Sequence, residues 1–262
     1  MRIGLALSGG AVRGLAHVGV LQALAAADIP IDCVAGCSAG SILGAMYCAG
    51  MPLDEIQSYV PGVTWRRIAS LARSREGLLT FEKLERLMIM LLGDIEFRDL
   101  EIPFAAVVMD AVTGERMTIH QGRLAPAIRA SCSIPGLVTP TEVGGRLLAD
   151  GGLVDNLPVD GALALGADFV IGVDVFEPNY RRDRGLLGIG LTAVETLVRN
   201  AGGGVQQADF LIAPDTAGRT YIRFSCYEEL ISLGRQAAQR DLPALKQSIA
   251  ARREAHQSTP GA

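Results

Sequence analysis

Aromatic side chains are scarce in this chain, 5% of its 262 residues with a single tryptophan, although 49% of the residues are hydrophobic. Leu, Val, Ile and Ala must therefore fill the interior, a bias that suits helices packed on a mainly parallel sheet. Positive charge is not in excess either. The formal charge is −4 and the pI is near 5.5, so the chain carries no electrostatic footprint for nucleic acid. No apolar run reaches the roughly 18 residues of a membrane span. The N-terminus passes almost at once into strand pattern and lacks the basic end and cleavage site of a secretory signal. A cytoplasmic location is expected, with any membrane contact peripheral. Cys33, Cys37, Cys48, Cys132 and Cys226 are odd in number, scattered and without metal-ligand spacing. They fit a reducing compartment as small core residues, and neither a metal nor another cofactor is expected.

There is no internal repeat and no clear linker. The length suits one domain over residues 1–256, with a polar tail at 257–262. Apolar runs predict buried strands at Ile3–Leu7, Ile31–Ala35 and Phe169–Val175. Hairpins are expected around Ala111–Gly114 and Gly144–Gly145. Leu84, Leu87, Met88, Leu91 and Leu92 give a helix over residues 80–93 a clear apolar face, with Thr80 at its cap. Further helical patterns occupy 52–60, 123–131, 159–165, 186–200, 227–239 and 241–256, and a short strand 209–213.

Gly36-Cys37-Ser38-Ala39-Gly40 falls where a buried strand turns into a helix of small apolar residues. A G-x-S-x-G pentapeptide at such a junction is a nucleophile elbow: the glycines let strand and helix crowd together while the serine stays exposed on a tight turn. Serine needs a base to lose its proton near neutral pH. Only three histidines are available. His17 lies inside the first helix and remains a supporting candidate, His120 ends a hairpin arm, and His256 sits near the polar terminus. With no credible histidine, a carboxylate must do the work. Asp150 is the best candidate, because Gly151 and Gly152 behind it let the backbone turn abruptly and other groups approach.

The oxyanion needs a cradle, and Ser8–Gly14 offers backbone N–H groups at the start of a helix, where the dipole favours negative charge. Two rival readings fit less well. A P-loop would need Gly-Lys-Ser/Thr at its end. A dinucleotide fingerprint would need glycine where Ala11 stands, and it would leave the elbow unexplained even though Asp32 mimics a ribose-binding acid.

In order along the chain stand the glycine-rich loop with Arg13, the elbow at Ser38, and Asp150-Gly151-Gly152. With Gly14–Leu21, Ile128–Gly136 and Asp150–Pro158, they resemble the patatin-like phospholipases over about residues 1–175. The resemblance implies an α/β three-layer sandwich with a central, mainly parallel sheet flanked by helices. It also implies metal-free hydrolysis of a fatty-acyl ester lipid by a Ser-Asp dyad. On these positions Ser38 would be the nucleophile and Asp150 the general base. The amides of Gly9, Gly10, Ala11 and Arg13 would form the oxyanion hole, with Gly36, Gly40, Gly151 and Gly152 in support and the Arg13 side chain holding its loop in shape.

Two positions depart from the family pattern. Ala11 replaces a third glycine and would carry about 1–2 kcal/mol of strain if the loop needs positive φ there. Cys37, in place of a small hydroxyl residue, is expected to pack away from the reacting centre. A catalytically weak lipid-binding protein and an acyltransferase are the alternative functions. The arginines at 66, 67, 73 and 75 would suit an anionic lipid surface or a solvated face. The pattern carries no information on oligomeric state.

Overall fold

The computed structural model describes residues 1–74, 76–176, 195–219 and 221–258, with the side chains of 256–258 left aside. Ile3–Leu7 (β1) leads through a 3-10 turn at Ala11–Leu15 into helix α1, Ala16–Ala26. Cys33–Cys37 (β2) turns at Ser38 into α2, Ala39–Cys48. Leu53–Tyr59 (α3), Trp65–Ile68 (α4), the two short strands Ser70–Leu71 (β3) and Leu79–Thr80 (β4), and Glu82–Leu92 (α5) then build one side of the molecule. Phe104–Asp110 (β5) and Arg116–Ile119 (β6) form the first expected hairpin. Leu124–Ser131 (α6) precedes the second, Thr141–Val143 (β7) and Arg146–Asp150 (β8). Val159–Ala164 (α7) and Phe169–Val173 (β9) follow. Residues 195–200 are helical (α8), then come Gly204–Gln207 (α9), Phe210–Ile212 (β10) and Tyr227–Ser258 (α10).

The sheet is mixed and mostly parallel, in the order β10-β9-β1-β2-β5-β8-β7, with β6 also paired to β5. Its central strands are buried end to end, as strands covered on both faces should be. Side chains alternate across β1. Ile3, Leu5 and Leu7 face the larger core, shared with α1, α2 and α10, while Ala6 faces the smaller one beneath α7. Small residues keep that second layer thin: a Cβ on Gly4 would come within 2.6 Å of the Ala167 Cβ. Helices thus cover both faces of the sheet, as expected from the three-layer α/β reading.

Two local expectations need correction. The C-terminal patterns 227–239 and 241–256 are one 32-residue helix with Pro243 inside it. Proline removes one backbone hydrogen bond, at a cost of about 3 kcal/mol. Leu230, Ile231, Ala237, Ala238, Leu245 and Ile249 on either side of it are all buried, and that burial offsets the break. Thr80 belongs to β4 rather than capping α5; its hydroxyl receives only a long 3.4 Å hydrogen bond from the Glu82 amide. Of the expected 186–200 helix, only 195–200 lies within the described residues.

Helix α10 packs closely along α1. At their crossing, a Cβ on Gly19 would lie 1.9 Å from the Ile231 carbonyl oxygen, and one on Gly234 would lie 1.9 Å from that of Ala16. Among the described residues, no helix is long and apolar enough to cross a membrane.

Candidate active site

Ser38 and Asp150 are 112 positions apart, and β5 brings them together. Val107 pairs with Cys37 of β2 and with Thr118 of β6, so β2 and β6 occupy opposite edges of β5. Val108 pairs with Met117 of β6 and with Asp150 of β8, so β8 lies opposite β6 and on the same edge as β2. Strand β2 runs parallel to β5 and β8 antiparallel to it. Their C-terminal ends therefore run head-on along one edge and stop at successive residues of β5. The serine just past Cys37 and the carboxylate ending β8 meet there.

The backbone at Ser38 is sharply bent, with φ 50° and ψ −119°. Such a conformation costs a non-glycine residue about 1–3 kcal/mol and persists only where its surroundings impose it. Here they do. A Cβ on Gly36 would stand 2.5 Å from the Gly40 carbonyl oxygen, and one on Gly40 would stand 2.2 Å from that of Leu7. The Ser38 amide donates to Ser131 Oγ at 2.9 Å, and that hydroxyl donates in turn to the Val107 carbonyl at 2.7 Å. Ser131 thus ties the elbow to β5.

Asp150 is buried, and burial raises its carboxyl pKa from 3.8 to about 6. Hydrogen bonds from the Gly152 amide, the Ser38 hydroxyl and the Cys37 thiol oppose that rise. Asp150 Oδ1 accepts from the Gly152 amide at 2.8 Å and from Cys37 Sγ at 3.7 Å. The Cys37 thiol is therefore not turned away from the centre, as its place in the elbow had implied. It alternates into the interior of β2, the side on which Asp150 arrives. Burial first, then the neighbouring carboxylates, holds its own pKa well above the ordinary thiol value, so it remains a neutral donor. The Ser38 hydroxyl already faces the Asp150 carboxylate in this resting arrangement. Such contacts are often long before substrate tightens them.

The glycine-rich loop lies against the elbow: a Cβ on Gly9 would be 3.2 Å from the Ser38 Cβ and 2.6 Å from Asn156 Oδ1. The Gly9 amide already donates to the Asn156 carbonyl at 3.1 Å, and the Arg13 amide to the Gly10 carbonyl at 3.1 Å. Those two donors are engaged, which corrects the expectation that all four amides are available to an oxyanion. Among the described residues the amides of Gly10 and Ala11 have no hydrogen-bond partner. Ala11 has φ 49°, the positive value at which alanine is strained.

The Arg13 side chain is wholly buried, not a solvated helix-start residue. Its Nε and Nη2 donate to the Arg219 carbonyl at 3.1 and 2.6 Å, and Nη1 to the Tyr221 hydroxyl at 2.9 Å. The guanidinium also lies 3.8 Å from the centre of the Tyr221 ring, and the Tyr221 carbonyl accepts from the Val12 amide at 3.3 Å. Tyr221 belongs to the part of the chain where no motif was recognised, so its role was invisible there. The hydroxyl of Ser131 was within a recognised motif but had no assigned partner.

His17 supports the loop without being a base. It is fully buried, which lowers its pKa to about 4 against a smaller opposing effect of its hydrogen bond to Ser8. As neutral imidazole it donates from Nε2 to the Ser8 carbonyl at 2.9 Å. His120 is exposed at the end of the β6 hairpin, and His256 lies near the end of α10. Among the described residues no cluster of three or more His, Cys, Asp or Glu is arranged to hold a metal ion.

A cavity of about 260 Å³ opens on Ser38 and Ala11. Its walls are almost entirely apolar, with Ile42 and Met46 from α2, Trp65 and Ile68 from α4, and Leu84 and Met88 from α5. The apolar face of the 80–93 helix therefore lines a channel to the serine. At just under the ~300 Å³ where ligand pockets commonly begin, the cavity suits one slender apolar chain.

Residues 5–163 match the sequence model of the patatin-like phospholipases. An NTE family protein of Mycobacterium bovis is 40% identical over 177 residues, covering 66% of this chain and 49% of that protein. Lysophospholipase nte1 of Aspergillus fumigatus is 34% identical over 180 residues, covering 66% of this chain and 12% of its own length. The chain thus spans about half, or far less, of the curated relatives it matches. The crystal structure of VipD from Legionella pneumophila aligns with a TM-score of 0.55 at 14% identity, over 94% of this chain and 67% of that one, a likeness of fold.

Proposed function

The chain belongs to the patatin-like phospholipase family, and we propose that it is a serine acyl hydrolase that cleaves fatty-acyl esters of the phospholipid or lysophospholipid type through a Ser38–Asp150 dyad. The observation that carries the reading is the meeting of Ser38 and Asp150 on one edge of β5 at the end of an apolar cavity.

The ionised Asp150 carboxylate takes the Ser38 proton as Oγ attacks the ester carbonyl. Negative charge then develops on the carbonyl oxygen, and the unengaged amides of Gly10 and Ala11 are the donors available to receive it. One such donor is worth about 10²–10³ in rate. Collapse of the tetrahedral adduct breaks the C–O bond, and Asp150 returns its proton to the departing alcohol. In the second half Asp150 takes a proton from water, hydroxide adds to the acyl-Ser38 carbonyl, and the fatty acid leaves as Ser38 recovers its proton. The acyl chain occupies the cavity between α2 and α5, which leaves the head group toward solvent.

Turnover of soluble p-nitrophenyl esters and of lysophosphatidylcholine by the wild type, Ser38→Ala and Asp150→Asn tests the mechanism. Both variants should fall by at least 10², and Ser38→Ala should lose labelling by a fluorophosphonate probe. Equal rates in all three proteins would refute the dyad. A wild type that neither turns over nor labels would support the lipid-binding alternative.

A further inference from the structure

Arg66, Arg67 and Arg73 have no part in the chemistry above, and they belong to a segment with an unusual surface. Trp65, Met90 and Ile134 line the cavity yet remain exposed, so they mark its mouth. Apolar exposure continues beyond it. Leu71 of β3 is 81% exposed and Leu78, just before β4, is 68% exposed; the Leu78 and Leu79 amides donate to the Leu137 carbonyl. On the other flank Trp65 Nε1 donates to the carbonyl of Ile222, itself 65% exposed. Soluble proteins seldom leave large apolar side chains contiguous in this way unless the patch meets a partner.

Charge identifies that partner. Between Tyr59 and Phe81 the sequence holds four arginines and only Glu76 as an acid, a local excess of positive charge on a chain whose net charge is −4. Arg66, Arg67 and Arg73 are exposed, and none has a carboxylate partner among the described residues. Exposed leucines on and beside the β3–β4 pair and an indole at the channel mouth, in one segment with arginines that lack carboxylate partners, complement an anionic bilayer: acyl tails receive the apolar groups while head-group phosphates meet the guanidinium ions. We propose that this face seats the protein on anionic phospholipid membranes, with the channel mouth turned to the lipid. The proposal rests on the lipid-ester reading for its purpose, though not for its geometry. A bilayer so placed would let an acyl chain pass from the membrane to Ser38 without crossing water.

Co-sedimentation with vesicles of phosphatidylcholine, with and without phosphatidylglycerol, tests the seat separately from the chemistry. The wild type should bind the anionic vesicles more tightly, and added salt should weaken that binding. Removing each arginine should weaken binding about fivefold, so Arg66→Ala with Arg73→Ala should cost about 25-fold. Leu71→Asp with Leu78→Asp should abolish binding. Both pairs should keep wild-type turnover of a short soluble ester, which also shows that they fold. Wild-type vesicle binding by both pairs overturns the proposal, as does a wild type that ignores anionic lipid. If the wild type binds through this face but hydrolyses no ester, the docking surface stands and the hydrolase reading fails.

Discussion

Replacing Asp150 with asparagine should stabilise the protein while abolishing its activity. Burial lifts the Asp150 carboxyl from 3.8 to about 6, and the Gly152, Ser38 and Cys37 hydrogen bonds only partly counter it. That displacement corresponds to about 3 kcal/mol between the protonated and ionised forms. Because folding raises the pKa, the folded chain holds a proton that the unfolded chain has released between about pH 4 and 6. The stability this confers is complete below pH 4 and is lost as the pH rises through 6. At neutral pH the wild type therefore carries a buried charge at a cost of about 3 kcal/mol. Asparagine keeps an oxygen acceptor for the Gly152 amide and carries no charge.

Urea unfolding of wild type and Asp150→Asn at pH 4.5 and pH 8 measures this cost. The variant's advantage should grow by about 2 kcal/mol between the two conditions. Asp155, which burial also raises to about 6 against the pull of Arg116, titrates in the same window. It is present in both proteins and cancels in the difference. Activity runs the other way. Wild-type kcat/KM should fall about tenfold per pH unit below 6, because only the ionised carboxylate accepts a proton, and the variant should lose 10²–10⁴ throughout. A wild-type rate flat from pH 5 to 8, with an Asp150→Asn protein no more stable at pH 8 than at pH 4.5, would refute the reasoning.

Ser131→Ala should cost about 1–3 kcal/mol in urea unfolding, since it leaves the buried Val107 carbonyl and the Ser38 amide without a shared partner. Ester turnover should fall at least tenfold as the elbow loosens. Tyr221→Phe keeps the ring over Arg13 but removes one acceptor of its guanidinium, and it should lower kcat several-fold with KM unchanged. Its pH profile should keep the wild-type acid limb. Ala11→Gly relieves about 1–2 kcal/mol of strain but adds about 0.5–1 kcal/mol of chain entropy. Its unfolding free energy from urea denaturation should therefore rise by between zero and about 1.5 kcal/mol, with turnover retained.

Features that depend on neighbouring residues were legible from the sequence. The strand before Ser38, the glycines around it and the small-residue helix after it are all set within about ten positions, and the structure has each of them. The turn after Asp150 is equally local. What could not be read depends on distant partners. Nothing in Cys37 itself indicates that its thiol reaches Asp150, because that contact requires β8 to arrive on the same edge of β5 as β2. The engagement of the Gly9 amide depends on Asn156, and the grip on Arg13 on Arg219 and Tyr221. Local pattern also divided α10 at position 240, since neither stretch alone shows that the buried residues on both sides of that point face one core.

The distribution of backbone strain ties these distant partners to the site. Among the described residues other than glycine, only Ala11, Asp28 and Ser38 have positive φ. Two of those three line the same cavity and belong to segments in close contact, the loop at Gly9 meeting the elbow at Ser38. Strain of about 1–3 kcal/mol at each point would relax if either segment could move alone. Each is pinned from a different direction: the elbow by Ser131 on α6 and by the Leu7 carbonyl, the loop by Asn156 and through Arg13 by the 219–221 segment. Relaxing one strained residue thus requires disturbing contacts drawn from both halves of the chain. On this argument the C-terminal part, where no motif was recognised, does more than cover the sheet, because it holds the loop amides at a fixed distance from the serine.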